Sequence, residues 1–219
     1  MTYAFRPSPH KSSRRGCSIS AIILHFTANA TLAACVRWFQ NPSSRVSAHY
    51  VVGRRGEVVQ MVQESEKAWH AGLASLEGDT RVNSMSIGIE IVNWGELRKD
   101  EDGQFFCWPE ATKGSGEYTR PYDIATYGSP VSGDGKWWAP YTQEQRDAVA
   151  KLCREIVARY PGVTRDRIVG HSDVAPGRKT DPGPAWGMEE ARDRVFLVEE
   201  SQTGDDSWYR GDNEDIQEK

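Results

Sequence analysis

In Ala21-Ile22-Ile23-Leu24-His25, four apolar residues run directly into a histidine. A run this short, apolar and partly β-branched is a buried strand, and it delivers His25 at its C-terminal end. Downstream, Asn29 or Thr31 can cap a helix in which Leu32, Cys35, Val36 and Phe39 fall at helical spacing, with Pro42 just beyond it. Ser47 to Val52 and Val58 to Val62 flank Gly53-Arg54-Arg55-Gly56 as a hairpin. Ser86 to Val92 is a further strand. Thr142 with Gln145 forms a capping-box pattern. The helix it opens carries Val149, Leu152, Cys153, Ile156, Val157 and Tyr160 on one stripe and stops at Pro161-Gly162. Arg167 to Gly170 is a short strand leading into His171, and Glu189 to Val198 a last amphipathic helix.

This alternation without strict βαβ regularity predicts one α/β domain, a mixed central sheet with helices packed on its faces. Residues 20–199 form that domain and 1–19 an N-terminal extension. Residues 97–140, rich in Gly, Pro, Ser and aromatics, form an ordered insertion before the main C-terminal helix, since a structureless loop of that length is unusual in a compact domain. Residues 200–219 are an acidic, mobile tail.

The 219 residues are 38% hydrophobic and 26% charged, with a formal net charge of -4. Mixed charge without a basic stripe argues against nucleic acid as a partner, and no apolar run is long enough for membrane insertion. The polar, basic N-terminus (Arg6, Lys11, Arg14, Arg15) lacks the apolar stretch of a signal peptide, so any export takes another route. Cys17, Cys35, Cys107 and Cys153 form no Cys-x-x-Cys pair. That disfavours thiolate zinc sites and thioredoxin-like chemistry, and Cys35 and Cys153 read as reduced core thiols.

His25 and His171 both follow apolar strands, where loops present functional side chains. The segment from His171 to Pro184 is dense in Pro and Gly, which can turn Asp181 back toward His171. Two imidazoles and one carboxylate make a normal catalytic zinc set with the fourth position left to water; each histidine taken alone is equally an ordinary hydrogen-bonded one. In Ser86-Ile87-Gly88-Ile89-Glu90-Ile91-Val92 the isoleucines share one face and Glu90 the other. A carboxylate there either faces a polar cleft, where it can act as a general base, or faces solvent from an edge strand.

His25 after its strand, Ser47-Ala48-His49-Tyr50, Ala68-Trp69-His70-Ala71-Gly72, Ser86 to Glu90 and His171 to Pro184 occur in an order that resembles the N-acetylmuramoyl-L-alanine amidases of the amidase-2 type, relatives of the peptidoglycan recognition proteins. The resemblance runs from about residue 20 to 186 and is strongest to bacterial recycling and cell-wall amidases with a His-His-Asp zinc site. It implies a six-stranded or similar mixed sheet, one Zn2+ held by His25, His171 and Asp181, and Glu90 and Lys179 as catalytic partners. Family members with cysteine as third ligand carry a tyrosine before the histidine at position 49. Asp181 and Ala48 stand in those places here, so Glu90 becomes the proton carrier.

The resemblance thus implies hydrolysis of the amide joining N-acetylmuramic acid to L-alanine in peptidoglycan or muropeptides. Glu90 activates a zinc-bound water, and zinc and Lys179 stabilise the oxyanion. Lys179 also reads as an ordinary surface lysine beside Arg178. Trp69 and His70 are expected to line the substrate groove, or to form a structural turn. His49 is expected behind the ligands or in the core. Phe105, Phe106, Trp108, Tyr118, Tyr122, Trp137 and Trp138 either stack on sugars or pack the insertion. Two other readings stay open: a non-catalytic peptidoglycan-binding module, and a zinc peptidase cutting within the stem peptide. Lysis after phage-type release, cytoplasmic recycling and a secreted effector all fit as settings, with a lean toward lysis.

Overall fold

The computed structural model describes residues 3–107 and 118–197. Its frame is a six-stranded mixed sheet in the order β1-β5-β4-β7-β3-β13. These strands are β1 (Ala4–Phe5), β5 (Val58–Gln60), β4 (Tyr50–Val52), β7 (Ser86–Ile91), β3 (Ala21–Phe26) and β13 (Ile168–Gly170). The fold class expected from the sequence is the one found, a single mixed α/β domain. β4, β7, β3 and β13 run parallel to one another, and β4 and β5 form the antiparallel hairpin.

Ile22, Leu24, Ile87, Ile89 and Ile91 point to one face of the sheet. Against them pack Val149, Leu152, Cys153 and Ile156 of α4 (Gln143–Arg159) and Ala191 of α6 (Met188–Phe196). Each buried Val, Leu or Ile among them contributes roughly 1.5–3 kcal/mol by leaving water. α4 starts at the predicted capping box: Thr142 Oγ1 accepts from Gln145 N–H, and the Gln145 side chain from Thr142 N–H. The opposite face is covered by Cys35 and Phe39 of α1 (Leu32–Gln40) and by Ala71 and Val174. Thr31 caps α1 through Ala34 N–H. Among the described residues no helix is long and apolar enough to cross a membrane.

The structure departs from the sequence reading at the chain's edges. Residues 1–19, set apart there as an extension, supply β1 and β2 (Lys11–Ser13), which pairs with β6 (Glu66–Ala68). Two- and three-residue polar strands carry no periodicity for a sequence pattern to show. Ser47 to His49, read as strand, precede β4 yet are buried. A short α2 (Val82–Met85) precedes β7, and the segment after His171 begins as a helical turn, α5 (His171–Val174).

The insertion has its own architecture, an antiparallel five-stranded sheet in the order β10-β9-β8-β12-β11. Its strands are β8 (Glu96–Lys99), β9 (Phe105–Cys107), β10 (Arg120–Pro121), β11 (Val131–Gly133) and β12 (Lys136–Trp138), with α3 (Ile124–Tyr127) between β10 and β11. Trp94, Leu97, Cys107, Tyr122 and Ala139 form its small core, with Phe105, Tyr127 and Trp137 against it. Phe105, Tyr122 and Trp137 thus pack the insertion itself; Trp108 and the acidic tail lie outside the described residues. The four cysteines are free thiols.

Glu64 ties the end of α4 to the sheet. Its carboxylate accepts from Arg159 Nη2 (2.6 Å) and Nε (3.1 Å), from Tyr50 Oη (2.7 Å) and from Tyr160 Oη (3.0 Å). Burial alone would raise its pKa, but Arg159 and the phenols outweigh burial and hold it below the ordinary value. Glu64→Gln is expected to cost about 2–3 kcal/mol in urea unfolding at pH 7. Because the folded-state pKa is the lower one, the wild-type advantage is complete above the unfolded value near ~4.3. It is lost as pH falls through the folded value. An advantage that persisted unchanged at pH 2–3 would show that the carboxylate charge is not what holds α4 there.

Candidate metal centre

Sheet order brings three chemical side chains to one place. β7, β3 and β13 are adjacent and parallel, so their C-terminal ends lie side by side. His25 and Glu90 are register partners on β3 and β7, and paired residues of parallel strands project to the same face. His171 follows β13 directly at the start of α5. Asp181 returns from the Pro- and Gly-rich loop, where Ser172 N–H donates to its backbone carbonyl at 2.9 Å.

The loop is braced by the insertion. Gly183 has φ 75°, and a Cβ there would lie 2.7 Å from the Trp138 ring, so glycine lets the buried indole press against the chain two residues past Asp181. Tyr141 Oη donates to Pro182 O at 2.7 Å.

The result is a triangle of donor atoms. His25 Nδ1 lies 2.9 Å from His171 Nδ1 and 2.9 Å from Asp181 Oδ2, and His171 Nδ1 lies 3.0 Å from the same oxygen. All three residues are buried, at 1%, 3% and 7% exposure. Among the described residues this is the one cluster of histidine, cysteine or carboxylate groups with the spacing of a metal site. On its far side the His171 ring meets the Ala71 carbonyl at 3.0 Å. A carbonyl only accepts, so His171 Nε2 carries the proton and its Nδ1 lone pair faces the triangle.

Burial lowers the His25 pKa to about 4, against the upward pull of Asp181. Burial raises the pKa of Asp181, but hydrogen bonds to His171 and His25 more than offset it and keep the carboxyl far below its ordinary value. Two imidazole nitrogens and one carboxylate oxygen thus converge at 2.9–3.0 Å, where a cation can take the place of the protons that link them. These residues fit a divalent metal with an open fourth position.

A model of the family described as N-acetylmuramoyl-L-alanine amidase matches residues 15–184. The chain belongs to this family. It is 30% identical over 178 residues to the N-acetylmuramoyl-L-alanine amidase AmiD of Escherichia coli, a match covering 77% of this chain and 50% of AmiD. It is 32% identical over 153 residues to the 1,6-anhydro-N-acetylmuramyl-L-alanine amidase AmpD of Salmonella typhimurium, covering 70% of this chain and 59% of AmpD. The matches thus span half to about three fifths of these curated relatives. A crystal structure of an AmpD derivative superposes with a TM-score of 0.62 at 26% identity, covering 88% of this chain and 94% of that one. E. coli AmiD in complex with anhydro-N-acetylmuramic acid-L-Ala-D-γ-Glu-L-Lys superposes with a TM-score of 0.60 at 28% identity, covering 86% and 60%.

In this amidase-family chain a cleft of about 360 Å³ opens over the triangle. Glu90, half-buried, and Lys179, exposed, border it with His25, His171 and Asp181. The five residues singled out for metal and proton chemistry are therefore brought together. Trp69 lines the cleft with its indole N–H donated to Ser12 Oγ at 3.0 Å. His70 also borders it but is buried, its Nδ1 3.1 Å from His25 Nε2. His70 therefore stands both at the edge of the cleft and against the outer side of His25. His49 lies deeper, fully buried with its Nδ1 accepting from Gly88 N–H at 3.0 Å. Burial and the nearby Arg14 guanidinium lower its pKa to about 3.

Several residues of the site gave no signal in the sequence. Trp38, on α1, lines the cleft and is 39% exposed, and falls outside the apolar stripe that marked the helix. Arg178 donates through Nη2 to the carbonyls of Ala71 (2.7 Å) and Leu73 (2.5 Å). Asn83 Oδ1 accepts from the backbone N–H groups of His70 and Ala71 at 3.1 and 2.8 Å. A contact made to backbone twelve residues away leaves no pattern in the sequence.

Proposed function

We propose that this chain is a zinc-dependent N-acetylmuramoyl-L-alanine amidase, hydrolysing the amide between the lactyl carbonyl of N-acetylmuramic acid and L-alanine in peptidoglycan or its muropeptide fragments. The observation that carries the reading is the buried His25–His171–Asp181 triangle opening into the cleft bordered by Glu90 and Lys179. The amidase names of AmiD and AmpD, and the anhydromuramyl peptide bound to AmiD, support the choice of bond and substrate class.

His25, His171 and Asp181 would hold the zinc, the nitrogen and oxygen donor set that this ion accepts. When bound, zinc supplies Lewis acidity and makes water a competent nucleophile near pH 7. Glu90 takes the proton of the attacking water and returns it to the amine of L-alanine as the C–N bond breaks. The Lys179 ammonium faces the oxygen on which negative charge develops. Trp38 and Trp69 offer apolar walls along which a sugar or stem peptide can lie.

The test is to incubate zinc-loaded protein with an anhydromuramyl tripeptide and, separately, with purified sacculi, and to read products by mass spectrometry. Free peptide beginning with L-alanine is expected, lost on chelation and in Glu90→Ala. Binding without products would turn the reading to a non-catalytic peptidoglycan-binding module. Cleavage inside the stem peptide would turn it to a peptidase.

A further inference from the structure

The two histidines of the triangle are held from behind by one short stretch of chain. His70 reaches the outer nitrogen of His25, and the next residue, Ala71, offers its carbonyl to the outer nitrogen of His171. That stretch is pinned in turn by Asn83, whose single amide oxygen takes the N–H groups of both residues. We propose that Asn83 and Ser86 are positioning residues for the metal, fixing through His70 and Ala71 which ring nitrogen of His25 and of His171 presents its lone pair to the triangle. The proposal rests on the metal reading above but not on the amidase assignment.

The direction of the chain of hydrogen bonds follows from its last member. Ser86 Oγ lies 2.5 Å from Val82 O and 3.2 Å from His70 Nε2. A hydroxyl has one proton, and the carbonyl can only accept, so that proton goes to Val82. His70 Nε2 must then be the N–H that donates to Ser86, which leaves a lone pair on His70 Nδ1. That lone pair accepts from His25 Nε2–H across 3.1 Å, which leaves His25 Nδ1 as the nitrogen that a metal ion at the triangle would take. At His171 the Ala71 carbonyl imposes the same tautomer. Outer partners of metal-binding histidines commonly fix tautomer and ring orientation, and their removal costs 10–100-fold in metal affinity.

Strand β7 is built to admit this arrangement. A Cβ on Gly88 would lie 2.4 Å from Cγ of the His70 ring. Glycine at this point of an apolar strand therefore makes room for the imidazole that backs His25. Ser86 and Gly88 project on the face of β7 that also carries Glu90, so one strand supplies the end of the relay, its space and the proposed base.

Zinc affinity is measured by competition with a fluorescent chelator for wild type, Asn83→Ala, Asn83→Asp and Ser86→Ala. Ring tautomers of the zinc-loaded wild type are read from long-range 15N–1H NMR correlations. Asn83→Ala and Ser86→Ala are expected to bind zinc about 10–100-fold more weakly while keeping the wild-type far-UV spectrum. Asn83→Asp keeps an acceptor oxygen and is expected to stay within about 3-fold of wild type, given that the accepted bonds carry the effect. The NMR spectrum should show His70 protonated on Nε2 and bare on Nδ1. A His70 protonated on Nδ1, or folded Asn83→Ala and Ser86→Ala proteins with wild-type zinc affinity, overturns the positioning role. If both alanine variants fail to fold, the wild-type tautomer decides alone. A wild type that takes up no zinc overturns the metal reading itself, whereas intact zinc binding without amidase products overturns only the choice of reaction.

Discussion

Glu90→Gln is expected to lower kcat on an anhydromuramyl peptide by about 10²–10⁴-fold, with zinc affinity and thermal stability close to wild type. Glutamine keeps the shape and hydrogen-bonding capacity of the side chain but cannot take a proton from water at neutral pH. Glu90 and His25 are register partners on neighbouring parallel strands and border the same cleft, so the carboxylate sits beside the metal ligands. It is not one of the three clustered donors. Loss of turnover with metal retained is the signature of a proton carrier. Two results count against the role: kcat within about 3-fold of wild type, or zinc lost together with activity, which would make Glu90 a ligand. The expected loss belongs to kcat rather than KM, because the proton moves only in the chemical step.

His25, His171 and Glu90 were legible in the sequence because each ends an apolar strand or interrupts one, whereas Asp181, on a turn-rich loop, stood out through the family resemblance. Leu24-His25, Gly170-His171 and Ile89-Glu90-Ile91 each place a polar group where the pattern demands an apolar one, and burial of such a group needs a reason. The long α4 was legible from its capping box and stripe. The supports of the site were not. Asn83 and Ala71 act through backbone groups, and Ser86 through a hydroxyl whose partner is a carbonyl four residues earlier. Such contacts depend on where two segments meet and not on residue type. His70 borders the cleft beside Trp69, but its contact with His25 over Gly88 depends on where two segments meet and left no sign in the sequence. The strands β1 and β2 were missed because they are too short for periodicity. The insertion's sheet was missed because Gly and Pro broke up its pattern, and its role in bracing the Asp181 loop through Trp138 rests on a contact at Gly183.

Asp181→Ala is expected to abolish most of the stabilisation that zinc gives the fold. The three donors come from β3, from the start of α5 and from the loop beyond it, so they meet only in the folded chain, and zinc held by them would bind that state alone. At free zinc about 1,000 times Kd the wild type should gain about 4.1 kcal/mol. For a chain of this size that is a rise in Tm of about 8–16 °C, reversed by chelator. Removing Asp181 leaves two imidazoles, neither of which supplies the negative charge that offsets the cation. The zinc-dependent rise should then fall below about 3 °C. Without zinc the variant loses only the bonds of Asp181 Oδ2 to His25 and His171, about 1–3 kcal/mol and less than the zinc-dependent stabilisation. The two melting curves separate the possible outcomes. A variant that loses stability equally with and without zinc would make Asp181 a structural carboxylate. A variant that zinc stabilises as much as it does wild type would place the metal somewhere other than this triangle.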